Sequence, residues 1–70
     1  MTKPLSAYQQ AGFADRFDYL QNLAYEYGLD VETVGFVAGV LGESEDFDGL
    51  LSELDSIAEA EQNRASYYGL

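Results

Sequence analysis

Seventy residues carrying 13 acidic and 3 basic side chains, a net charge of −10, amount to one domain near the lower size limit for a self-standing core. A body this negative repels nucleic-acid phosphates and anionic membrane surfaces, both of which are gripped through Lys and Arg. There is no Cys and no His, which removes disulfides, thiolate chemistry, the commonest general base and the commonest transition-metal ligand.

The hydrophobic fraction is 47%, with four Phe and six Tyr, so this is no disordered acidic tail. The core is nonetheless thin, worth a net few kcal/mol at this chain length. No apolar run approaches the ~20 residues of a membrane span. Lys3 is not followed by the apolar stretch of a secretory signal, so the expected location is the cytoplasm. The charge is uneven: residues 1–35 hold two basic and five acidic side chains, residues 36–70 one and eight.

Residues 1–12 read as a loose arm or a short helix. Pro4 suits a first helical turn, and Leu5 and Tyr8 supply its apolar contacts. From Phe13 the pattern sharpens. Phe13, Phe17, Leu20, Ala24 and Tyr27 recur at helical spacing with Leu23 beside them, and Asp15, Asp18 and Gln21 fall off that stripe. The spacing predicts a helix over about 13–27, stopped by Gly28, where a left-handed cap is cheapest.

Asp30 is placed to cap a second helix over 31–41, with Glu32 opposing its positive end. Val31, Val34, Val37, Ala38 and Leu41 form one apolar face. Phe36 and Val40 lie off that face, so the helix is either buried on several sides or bears an exposed apolar site. Gly35 and Gly39, four apart, admit a close helix neighbour at a propensity cost of about 1 kcal/mol each. Gly42 ends this helix.

A third helix is predicted over about 45–62, capped by Ser44 or Asp46. Phe47, Leu50, Leu51, Leu54, Ile57 and Ala58 face inward, and Glu45, Asp48, Ser52, Glu53, Asp55 and Glu59 lie on or near the outer side. It continues towards Arg64, with Tyr67, Tyr68 and Leu70 docking back or fraying. The expectation is an all-α fold: a small orthogonal bundle of three helices, or four if residues 1–12 contribute one, with a helix-turn-helix-like corner.

That corner rests on Leu23-Ala24, Gly28-Leu29, Val34 and Val37, which match the packing positions of a helix-turn-helix. The outward positions of the second helix are Asp30, Val31, Glu32, Gly35, Phe36 and Gly39. They offer no donor to guanine and no cation to phosphate, so the geometry is expected without DNA binding. Ser44, Asp46, Asp48, Gly49, Leu51 and Asp55 echo a calcium loop, but Ser and Asp replace its first Asp and last Glu. Leu50, Leu51 and Leu54 make its second half a helix face. The run reads as an acidic helix start, able at most to associate weakly with cations through Glu43, Glu45, Asp46 and Asp48. No metal or cofactor site is expected. Close carboxylate pairs arise by chance among thirteen, and so thin a domain leaves little room for a substrate pocket. An enzyme is not expected.

Tyr19-Leu20, then Leu23-Ala24-Tyr25-Glu26-Tyr27-Gly28, then Leu41-Gly42-Glu43-Ser44-Glu45-Asp46-Phe47-Asp48-Gly49-Leu50, resemble short, acidic helical proteins of bacteria, often associated with mobile elements. The resemblance spans nearly half the chain. It implies a bacterial, intracellular helical protein and carries no activity and no site residue with it.

Two functions remain. The first is a non-catalytic interaction or regulatory module, meeting a protein partner or a second copy of itself. Its candidate surface is Tyr19 and Tyr25, off the first stripe, Phe36 and Val40, off the second, and Glu45 and Asp48 in the acidic run. The second is a DNA mimic, an antirestriction-type inhibitor presenting carboxylates to a DNA-binding enzyme in place of phosphates. It requires Glu45, Asp48, Glu53, Asp55 and Glu59 to form a line.

Overall fold

A computed structural model describes residues 5–68 of the chain, with side chains as far as residue 62. Four α-helices follow one another: α1 (Ala7–Gln10), α2 (Arg16–Tyr27), α3 (Val31–Leu41) and α4 (Gly49–Tyr68), with a 3-10 turn at Glu43–Glu45 before α4. The described residues form a small all-α bundle without strands. Pro4, Tyr67, Tyr68 and Leu70, given roles in the sequence reading, lie outside the described side chains.

The ends of α1 and α2 are set by local chemistry. Ser6 and Gln9 close a reciprocal capping box around α1, which helps a single turn to persist. Asp15 caps α2 by accepting from the Asp18 backbone N–H at 2.9 Å. Gly28 ends it in the left-handed conformation, φ 67°, with the Leu29 N–H returning to the Ala24 carbonyl at 2.9 Å. Those bonds satisfy carbonyls that the last turn leaves orphaned. Asp30 occupies the N-cap of α3 without a side-chain cap bond.

The core is one cluster: Tyr19, Leu23 and Ala24 from α2, Val34 and Ala38 from α3, and Leu50 and Leu54 from α4. The three-residue connection Gly28–Asp30 folds α3 directly onto α2, and α4 packs across both. Among the described side chains of α4, Leu54 is the last that is fully buried; Ile57 and Ala58 are half-buried, and Glu59 to Gln62 are exposed.

Three expectations need correction. Phe13 precedes α2 rather than opening it, since Asp15 is the cap. Counting Phe13 as helical rotates the stripe, and it rotates Phe17 into the core, where the structure leaves Phe17 66% exposed. Tyr19, expected off the stripe, is 4% exposed. The actual inward face is Tyr19, Leu23 and Ala24, flanked by half-buried Arg16, Leu20 and Tyr27. Finally, the third predicted helix starts later, at Gly49, because Asp46 turns inward instead of capping it.

Candidate functional site

Asp46 is the one buried charged residue among the described side chains. Arg16 reaches it across thirty residues: Nε donates to Oδ2 at 2.7 Å and Nη2 to Oδ1 at 3.0 Å. Nη2 also donates to the Ala38 carbonyl at 3.1 Å, tying the start of α2 to the last turns of α3. The Tyr8 hydroxyl donates to Asp46 Oδ2 at 2.6 Å, and the Tyr19 hydroxyl donates to the Asp46 backbone carbonyl at 2.7 Å. Around these bonds the rings stack: Tyr19 lies on Phe47 at 4.6 Å, Phe13 meets Tyr19 edge-on at 5.1 Å, and Tyr8 bridges Tyr19 and Phe47.

This centre holds the fold rather than a ligand. Both carboxylate oxygens of Asp46 are engaged by Arg16, so Asp46 does not stand free with Glu43, Glu45 and Asp48 for a cation. Among the described residues no three acidic side chains are grouped to hold a metal ion. Phe47, expected as a core anchor, is 43% exposed and lends one ring face to Tyr19.

The network also sets a pH limit. Burial, then the hydrogen bond to Asp46 and its negative charge, push the Tyr8 hydroxyl above its ordinary 10.0. Burial and the same charge push Tyr19 up. A group whose pKa is raised by folding contributes stability that is complete below the unfolded value and is lost as pH climbs towards the folded one. Urea midpoints should therefore hold up to about pH 10 and fall above it. Tyr8→Phe should flatten that fall; an unchanged alkaline slope would mean that Tyr8 is not coupled to folding.

The remaining sequence candidates lie elsewhere. Tyr25 is 88% exposed on α2, Phe36 74% and Val40 69% on α3. Glu45, on the 3-10 turn, is half-buried with its side chain over Gly49, and Asp48 is exposed with its carbonyl accepting from Ser52. Tyr19, at 4% exposure, is therefore withdrawn from any open surface, and Glu45 is only partly open to water. Phe36 and Val40, one turn apart, share a face with Glu32 and Gly39. A Cβ built on either Gly35 or Gly39 would meet no atom within 4 Å beyond its chain neighbours, so the lane that these glycines leave is empty among the described residues.

Beside that lane Phe36, Val37, Val40 and Leu41 of α3 meet Ile57 and Glu53 of α4 around a shallow groove of about 290 Å³. A second groove, about 300 Å³, runs between the end of α2 and α4 and is acidic, lined by Glu26, Tyr27, Asp55, Ala58, Glu59 and Gln62. Exposed Asp48, Asp55 and Glu59 follow one side of α4 at spacings of seven and four, about 10 and 6 Å along the axis. Glu53 departs from that line to rim the apolar groove. The line of five carboxylates expected from sequence is thus a line of three.

Among the described residues no helix is long and apolar enough to cross a membrane. No family model matches the chain, and neither the curated proteins nor the solved structures yield a match.

Proposed function

We propose that this chain is a small, non-catalytic interaction module that docks a protein partner on the exposed face of α3. One observation carries the reading: Phe36 and Val40 stand in water beside two mid-helix glycines whose vacant side fits no need of the fold. Both glycines cost helix stability, and contiguous exposed apolar surface with a polar rim marks interaction sites.

The acidic side of α4 favours a second reading, that of a DNA mimic. Asp48, Asp55 and Glu59 are exposed along one flank, with Glu26 across the groove from the latter two. Paired variants separate the readings. Phe36→Ser/Val40→Ser should leave stability within about 0.5 kcal/mol, as exposed substitutions do. It should remove the proteins that the wild type captures from a bacterial lysate, identified by mass. Capture that persists in this variant but disappears in Asp55→Asn/Glu59→Gln would overturn the first reading in favour of the second.

A further inference from the structure

Resting on that reading, we infer that the occupant of the α3 face is an amphipathic helix with a basic rim, supplied by another protein. The shape comes from the glycines. Residues four apart form the ridges and grooves by which helices interdigitate. With Gly35 and Gly39 bare, the groove between ridges is open to the backbone of α3. A helix can lie there at the short end of the usual 8–10 Å separation. Its apolar stripe would meet Phe36 and Val40 and send an aliphatic side chain between Val37, Leu41 and Ile57.

The charge of the partner follows from the rim. Glu32 is exposed on the same face of α3, and Glu53 edges the groove from α4. The only cation among the described side chains, Arg16, is committed to Asp46. A second copy of the chain would therefore bring Glu32, Glu53 and a further net −10 against like charges, which is unfavourable. Lys or Arg flanking the partner's apolar stripe would instead pair with both carboxylates and be steered in by the field of the whole molecule.

The test uses the full chain, labelled for amide resonances, and three synthetic peptides. One is an 18-residue helix with a Leu/Ala stripe flanked by Lys; the second replaces every Lys by Glu; the third scrambles the first. The basic amphipathic peptide should shift the amides of Gly35, Phe36, Gly39 and Val40. It should bind roughly tenfold or more tightly than either control, a difference of about 1.4 kcal/mol. Glu32→Gln/Glu53→Gln should erase most of that preference.

Equal binding of the acidic twin, shifts centred on Asp55 and Glu59, or no shift on α3 with any peptide would overturn the basic-helix assignment. So would α3 amides that move on dilution of the chain alone, which would identify a second copy as the occupant. In each of these cases the broader reading stands or falls separately, on whether Phe36→Ser/Val40→Ser loses its captured proteins.

Discussion

Asp46→Ala should destabilise the protein by about 3 kcal/mol or more, the cost of leaving one member of a buried ion pair alone. The Asp46 side chain is fully buried while that of Arg16 is 30% exposed. Water can reach part of the abandoned guanidinium, which places the effect at the low end of the usual range of about 3–5 kcal/mol. The loss is still severe for a chain of this length, whose core supplies a net few kcal/mol, about 3–5. Substitution also strips the Tyr8 hydroxyl of the shorter of its two carboxylate bonds, leaving only the 3.3 Å bond to Glu43, so α1 should loosen first. Arg16→Met should cost at least as much as Asp46→Ala, because it leaves a fully buried carboxylate with the Tyr8 hydroxyl bond but no countercharge. Arg16→Met/Asp46→Leu should lose less than the two single variants added together, since replacing both members removes the unpaired charge. Urea unfolding followed by far-ultraviolet circular dichroism measures all of them. A midpoint for Asp46→Ala within about 0.5 kcal/mol of wild type would show that the pair contributes nothing net.

That pair also marks where sequence reading stops. The limits of α3, residues 31 and 41, follow from Asp30, Gly42 and the valine spacing, all local, and the structure places the helix there. The same holds for the end of α2, where Gly28 adopts the conformation expected of it. The Arg16–Asp46 contact joins residues thirty apart, and no spacing rule reaches that far. Arg16 even stands at the first residue of α2, where its charge opposes the helix dipole. The one available hint is compositional: with three cations among thirteen carboxylates, a cation within the folded body pairs readily with a carboxylate. The inward turn of Asp46 then explains why α4 begins at Gly49 rather than four residues earlier.

Tyr19 shows a different failure. A hydropathy stripe ranks Phe above Tyr, and so favours Phe13 and Phe17 over Tyr19. Burial of a Tyr needs a partner for its hydroxyl, and that partner is the backbone carbonyl of Asp46, visible only once the chain has folded. On α3 the reading left two outcomes for Phe36 and Val40, inside or exposed, and the thin bundle decides between them. Among the described residues α2 and α4 are the only long helices to pack against it, so α3 covers Val34 and Ala38 fully while its opposite side meets no described neighbour.

Gly35→Ala/Gly39→Ala should raise stability while weakening the association proposed for α3. Both glycines lie inside a regular helix without positive φ, where Gly is about 1 kcal/mol less favourable than Ala. Neither added methyl meets a described atom beyond its own helix neighbours within 4 Å, so no clash offsets the gain. The double variant should be more stable by about 2 kcal/mol, read as a higher urea midpoint. The same two methyls fill the lane along which a partner helix would lie. Affinity for the basic amphipathic peptide should therefore fall by roughly tenfold, about 1.4 kcal/mol. Opposite movement of stability and binding is the signature of residues kept for a visitor rather than for the fold. If stability rises and peptide affinity is unchanged, the close-approach lane is discarded, and Phe36 and Val40 must act with a partner held at ordinary distance.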